Sequence, residues 1–300
     1  MKIRLLGVPI DLGAGRRGVD MGPSAIRIAG ITEKLSVLGH TIIDDGDILI
    51  KAPEMQKIKN HRLKYFPEIV RACNLLAKKI EKTLAKKQFP LVLGGDHSIA
   101  MGTIAGISSY CKKHNKTLGV LWIDAHGDMN TDKTSPSGNI HGMPLAASMG
   151  LGADELISIG GSFTKVEPSN VALIAIRELD EGEKIAIKKN KVNIFTMEDI
   201  DKQGMSDVMQ KALYKLRNLD FLHVSFDLDS IDPQVAPGVG TPVKGGLDYR
   251  EAHLIMETLS ESQRMNSLEM VEVNPILDDR NKSAELAVEL VQSGFGKKII

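Results

Sequence analysis

Four short segments of the 300-residue chain crowd carboxylates and imidazoles together. They are Gly94-Gly95-Asp96-His97-Ser98, Asp124-Ala125-His126-Gly127-Asp128-Met129-Asn130, Asp227-Leu228-Asp229-Ser230-Ile231-Asp232-Pro233 and Glu272-Val273-Asn274-Pro275. In extended backbone, residues i, i+2 and i+4 project to one side. Asp124, His126 and Asp128 therefore converge if strand conformation runs slightly past its last pairing, and Asp227 and Asp229 form a second such pair. Side by side at a sheet edge, these groups put four carboxylates around one imidazole, an assembly that repels itself unless cations neutralise it. His97 raises the potential ligands to six. Two metals need about eight to twelve coordination bonds, so carboxylates must bridge or water must contribute. A pair of divalent ions about 3.5–4 Å apart satisfies such a set.

Oxygen donors dominate, with two histidines and no cysteine, which disfavours thiolate-type zinc sites and suits Mn²⁺. Mg²⁺ ordinarily takes fewer protein ligands. Two ions sharing a water lower its pKa toward neutrality, so the reaction class these residues define is metal-assisted hydrolysis. No substrate follows from them alone. Each piece also has a structural use. An Asp that ends a strand is often a helix N-cap, the role expected for Asp232 ahead of Pro233, and a lone Gly-Gly-Asp-His is more often a turn. The Asp-x-His-x-Asp run resists such readings, because three ionisable side chains on one face need a partner. His40, His61 and His114 read as surface residues, and His223 and His253 as packing groups.

Positioning these segments requires strands. Candidates are Ile3–Val8, Thr41–Asp45, Pro90–Leu93, Leu118–Asp124, Val171–Ile176, Val192–Phe195, Phe221–Asp227 and Ser267–Val273. Helical periodicity marks Pro67–Lys87, Glu181–Lys189, Ser206–Leu216 and Tyr249–Ser262 among the intervening stretches. Apolar runs bounded by Gly or Asp and alternating with helices predict an α/β fold: a single domain over 1–300, with a mostly parallel sheet of about eight strands and helices on both faces. Ligands of open α/β sheets bind beyond the carboxyl ends of strands, where all four segments fall.

Lys+Arg and Asp+Glu balance at 38 each, which argues against nucleic acid or an anionic membrane surface as partner. No apolar run approaches the ~18 residues of a membrane span, and Met1–Gly13 lacks a signal-peptide pattern. Cys73 and Cys111 are too few for a disulfide framework, so the expected compartment is the cytoplasm.

Taken together, the motifs resemble those of the ureohydrolases, from Gly7-Val8-Pro9 to Glu272-Val273-Asn274-Pro275. Within that superfamily the chain is similar to bacillus-type arginases through Asn130 and Ser135-Pro136-Ser137-Gly138-Asn139-Ile140-His141-Gly142-Met143-Pro144. Agmatinases share the metal motifs but typically lack this Ser-Gly-Asn-x-His-Gly loop. The resemblance implies hydrolysis of L-arginine to L-ornithine and urea by a hydroxide bridging two Mn²⁺ per subunit. One ion falls to His97, Asp124, Asp128 and Asp227; the other falls to Asp124, His126, Asp227 and Asp229, with Asp124 and Asp227 bridging. Asp128 then passes a proton to the leaving amine, His141 shuttles protons or holds substrate, and Glu272 faces the guanidinium. Asn130, Ser135, Ser137 and Asn139 address the α-carboxylate, Asp180 and Glu183 the α-ammonium, and Thr241 lies near the guanidinium. Asp180 also opens a predicted helix, so capping competes with binding there.

Glu178 and Ser230 depart from the family pattern without removing a ligand. Implied partners are the small-molecule substrate L-arginine and copies of the same chain, as a homo-trimer or homo-hexamer. The rival readings are an agmatinase or other guanidino-compound ureohydrolase, a two-metal phosphoesterase and a metal-stabilised protein with a decayed site. The phosphoesterase reading lacks its Gly-Asn-His-(Asp/Glu) element in this sequence.

Overall fold

In the computed structural model, which describes residues 1–298, runs rich in Val, Ile and Leu form one eight-stranded parallel sheet whose inner strands are largely buried on both faces and whose two edge strands are partly exposed. The strands are β1 (Lys2–Val8), β2 (Thr41–Asp47), β3 (Phe89–Gly94), β4 (Leu118–Ile123), β5 (Val171–Ile176), β6 (Asn193–Thr196), β7 (Phe221–Asp227) and β8 (Met265–Val271). Their order is β2-β1-β3-β8-β7-β4-β5-β6. The four strands whose ends carry the reactive segments, β3, β8, β7 and β4, are thus consecutive neighbours at the centre of the sheet. With strands about 4.8 Å apart, residues far apart in sequence meet within a span of roughly 15 Å.

The helices in chain order are α1 (Gly22–Ile28), α2 (Ile31–Val37), α3 (Phe66–Ala85), α4 (Ala100–Lys113), α5 (Pro144–Ser148) and α6 (Asp154–Ile157). They continue with α7 (Glu181–Asn190), α8 (Met197–Gln203), α9 (Met205–Lys215), α10 (Tyr249–Ser262) and α11 (Lys282–Gly294). Strand alternation divides the core in two. Leu222, Val224 and Phe226 of β7 and Leu268 and Met270 of β8 pack with α9, α10 and α11. On the other side, Val120 and Trp122 of β4 pack with α3, α4 and α5. Each fully buried Leu or Ile contributes about 1.5–3 kcal/mol, so these two layers hold the strand ends rigidly.

Strand bounds shift by a residue or two, and two of the site-bearing strands end earlier than the sequence predicts. β4 stops at Ile123, one residue before Asp124, and β8 stops at Val271 because Glu272 adopts a left-handed φ of 65° that breaks the extended run. Asp232 is not a helix N-cap. Its carboxylate accepts the N–H groups of Gln234 (2.9 Å), Gly245 (2.7 Å) and Gly246 (3.3 Å), so it ties two loops together instead.

The exit of β3 is pinned at Gly95. Its N–H donates to Val8 O (2.9 Å) and its carbonyl accepts the Glu272 N–H (2.8 Å). A Cβ there would lie 1.9 Å from the Ile10 carbonyl oxygen. Gly95→Ala must therefore push β1's exit away from β3, an overpacking cost of about 1–3 kcal/mol. A urea denaturation midpoint lowered by that equivalent is expected, and an unchanged midpoint would show the contact to be unimportant.

Candidate metal centre and substrate cleft

Asp96 caps the turn that carries His97. Its carboxylate accepts the N–H groups of Ser98 (3.0 Å) and Gly13 (2.7 Å), fixing the β3 exit against the loop after β1. The His97 ring stacks on Trp122 of β4, centroids 4.0 Å apart and 9° from parallel. Its Nδ1 then lies 3.1 Å from Asp124 Oδ2, 3.2 Å from Asp128 Oδ2 and 3.0 Å from Asp227 Oδ2. His126 Nδ1 lies 3.3 Å from Asp124 Oδ1 and 3.1 Å from Asp229 Oδ2. Asp124 therefore faces both imidazoles, one with each oxygen. Two ligand groups result: His97, Asp124 and Asp227, and Asp124, His126 and Asp229.

The convergence does not come from prolonged extended backbone, as the spacing predicts. Asp124 Oδ1 accepts the His126 N–H (2.6 Å), and Asp227 Oδ1 accepts the Asp229 N–H (2.8 Å). These are side-chain-to-backbone turns of the kind Asp favours. Asp128 sits at φ 49°, in left-handed backbone. The carboxylates fold their own loops into the centre.

The donors fit divalent cations. His97 Nδ1 is fully buried and, among the described residues, has no hydrogen-bond partner, although three carboxylate oxygens approach within 3.2 Å. A ring N–H can aim at one oxygen only. A nitrogen nearly equidistant from three suits a lone pair directed at a cation among them.

Electrostatics agree. Burial drives the Asp227 carboxyl well above the usual range, reinforced by the charges of Asp229 and Asp124. Asp128 is pushed up to about 6 by burial and the Asp124 charge. Burial opposes the charged imidazoles of His97 and His126, but the surrounding carboxylates outweigh it and hold both well above their ordinary value. Asp124 moves the other way: His126 and His97 overcome its burial and lower it.

Above this floor opens a cleft of about 130 Å³. Of the residues anticipated from sequence, it is lined by His97, His126, Asp128, Asp227 and Asp229 at the bottom, with Asn130, Ser135, Ser137, Asn139, His141, Asp180, Glu183 and Thr241 around it. Asp124 and Glu272 lie one layer beneath. Glu272 Oε1 accepts the His97 N–H (3.0 Å) and pairs with His141 Nδ1 (3.2 Å), while its buried Oε2 has no partner among the described residues. Thr241 Oγ1 donates to Asp229 Oδ2 (2.8 Å). Asn130 Nδ2 donates to Asp180 Oδ2 (2.9 Å).

Asp180 is the N-cap of α7, and Glu183 Oε2 accepts the Asp180 N–H (2.9 Å), so the capping role is real and coexists with a place on the cleft wall. Of the two departures, Glu178 is exposed and outside the cleft, and Ser230 is buried with its hydroxyl on Asp227 O (2.6 Å).

Sequence reasoning missed the supports. Trp122 Nε1 donates to Asp124 Oδ2 (2.9 Å). Arg177, at the end of β5, donates to the carbonyls of Asp229 (2.7 Å), Ser230 (3.0 Å) and Val243 (2.7 Å), clamping the ligand loop from behind. Lys64 Nζ donates to Asn139 Oδ1 (3.0 Å). Arg177 left a signal, a charge ending an apolar strand; Lys64 left none.

These protonation states set a pH dependence. In a metal-stripped chain, burial also raises Asp96 to about 6 and Glu183 to about 7. With Asp128, His97 and His126, each binds its proton more tightly folded than unfolded. Near neutrality the folded chain thus carries more protons, and its stability falls as pH rises. The lowered Asp124 acts below this window. Metal binding displaces the protons and inverts the trend. The expected thermal midpoint in chelator is higher at about pH 6 than at about pH 8 and, with saturating manganese, lower. A chelated midpoint that climbs with pH contradicts this.

Comparison with known proteins agrees with this geometry. The model of the arginase family matches residues 1–296. The arginase of Bacillus subtilis is 52% identical over 299 residues, 99% of each chain, and that of Bacillus caldovelox 53% over 300 residues, again 99% of each. The crystal structure of arginase from Bacillus cereus superposes with a TM-score of 0.95 at 51% identity, covering all of both chains. The chain belongs to the arginase family.

Proposed function

We propose that this chain hydrolyses L-arginine to L-ornithine and urea, using two manganese ions per subunit. The observation that carries the reading is the pairing of His97 and His126 across one shared buried carboxylate, Asp124, at the floor of a cleft lined by Asn130, Ser135, Ser137 and Asn139 together with Asp180 and Glu183. His97, Asp124, Asp128 and Asp227 would hold one ion; Asp124, His126, Asp227 and Asp229 would hold the other. When bound, the ions offset the carboxylate repulsion and supply a water acidic enough to act as nucleophile near neutral pH.

The chain's own groups do the rest. The guanidinium is a planar cation, and Glu272, just beneath the cleft with its Oε2 unpartnered among the described residues, supplies an acceptor suited to its N–H groups. Thr241, anchored on Asp229, borders the same end. Asp128, a carboxylate on the cleft wall beside the reacting end, can take a proton and return it to a leaving amine. His141 is raised to about 9: burial opposes its charge, but Glu272 beside it prevails. Its Nδ1 is committed to Glu272, so the other ring nitrogen serves to relay a proton or hold the substrate.

At the far end, Asn130, Ser135, Ser137 and Asn139 supply uncharged donors for an α-carboxylate, and Asp180 and Glu183 supply acceptors for an α-ammonium. The chain over 1–300 then acts as one catalytic domain, in the cytoplasm, as a homo-trimer or homo-hexamer. Two buried, unpaired cysteines suit a reducing compartment.

Agmatine lacks the α-carboxylate, so turnover of arginine against agmatine tests the substrate directly. Arginine is expected to be strongly preferred, and faster agmatine hydrolysis would overturn the assignment. Asn130→Ala should cut kcat/KM for arginine roughly 10–100-fold, the equivalent of one hydrogen bond to a charged group, while shifting folding stability by less than about 1 kcal/mol. Loss of stability in proportion to activity would reduce Asn130 to a structural role.

A further inference from the structure

Beneath the metal floor runs a buried polar chain that the reaction itself does not use. His97 Nε2 lies 2.7 Å from Ser225 Oγ, and that hydroxyl donates to Glu269 Oε1 at 2.7 Å. His223 Nε2 approaches the same oxygen at 3.3 Å, and its Nδ1 pairs with Ser267 Oγ at 2.9 Å. All four supporting residues are wholly buried, side by side on β7 and β8. An apolar set of similar volume would satisfy the sheet at lower cost, since an ionisable pair deep in a core is expensive to desolvate.

We infer that Ser225 and Glu269 are positioning residues that fix the tautomer of His97 and strengthen it as a ligand for one of the two ions, an inference that rests on reading the cluster as a dinuclear centre. Proton directions leave little choice. A cation among Asp124, Asp128 and Asp227 needs the Nδ1 lone pair, so the ring proton must sit on Nε2. That N–H donates to Ser225 Oγ. The hydroxyl has one proton of its own and gives it to Glu269 Oε1. The chain must therefore end on an acceptor, and an ionised carboxylate is the strongest available. Its charge, relayed through the hydroxyl, draws on the Nε2 proton and makes Nδ1 a better donor. Stacking on Trp122 keeps the ring from turning out of this line.

The arrangement is one-sided. His126, about a quarter exposed, has no comparable backing among the described hydrogen bonds. Since His97 belongs to only one of the two ligand groups, the relay should act on one ion and spare the other.

The test is manganese stoichiometry and affinity, measured by equilibrium dialysis and by the electron paramagnetic resonance signature of coupled against isolated ions. Glu269→Gln removes the charge and keeps the shape; Ser225→Ala cuts the relay while leaving Glu269 and His223 together. Wild type is expected to hold two coupled ions. Each variant should keep one at wild-type affinity and bind the other roughly 10–100-fold more weakly, giving an uncoupled signal at limiting manganese. Equal weakening of both ions, or no weakening in a folded variant, overturns the inference. Should Glu269→Gln fail to fold, Ser225→Ala decides. A wild-type chain that takes up fewer than two ions would instead sink the dinuclear reading beneath it, so the two failures are distinguishable.

Discussion

Repulsion among carboxylates that the fold forces together is the constraint behind the rest of this structure. Asp124, Asp128, Asp227 and Asp229 are all nearly inaccessible to solvent, and their oxygens crowd two imidazole nitrogens. Protons relieve part of that repulsion, which is why burial lifts Asp128 and Asp227 and why the imidazoles hold on to theirs. Divalent cations relieve more of it. The parallel sheet makes the crowding unavoidable, because β3, β8, β7 and β4 are neighbours and every one of them delivers its reactive residue at the same edge.

Backbone devices then convert proximity into geometry. Asp96 ties the β3 exit to the loop after β1, Arg177 holds three carbonyls around the Asp229 loop, and Trp122 both stacks on His97 and donates to Asp124. The cleft above divides by charge. Its floor is anionic and suits a cationic guanidinium lying against metal. Around it stand uncharged Asn130, Ser135, Ser137 and Asn139 and acidic Asp180 and Glu183, and Lys64 donates to Asn139 from outside. On the function proposed above, those uncharged donors would separate a guanidino amino acid from a simple guanidino amine.

Much of this was legible in the sequence. Strands came from apolar runs punctuated by Gly and Asp, and four strand ends announced the site because acids there have no packing use. What escaped depends on local backbone choices and on layers behind the surface. Asp-x-His-x-Asp reads as extended in the sequence, but Asp124 accepts the His126 N–H and curls the loop, with Asp128 left-handed. Either geometry gathers the side chains, so spacing alone cannot choose between them. Asp232 looked like a helix cap because Pro follows it, yet its acceptors were claimed by a distant loop. Glu272 sits beneath the cleft because its left-handed backbone turns it off β8. His223 reads as a packing group in the sequence. It is buried, but Glu269, an acid in mid-strand of an apolar β8, was the signal that it had polar company.

Anomalous diffraction at the manganese edge, from crystals grown with the metal, tests the paired-dication centre most directly. Two peaks are expected about 3.5–4 Å apart, one beside His97 Nδ1, one beside His126 Nδ1, with Asp124 reaching both. A single peak, or peaks away from these ligands, would contradict the claim that paired dications make this arrangement of acids tolerable.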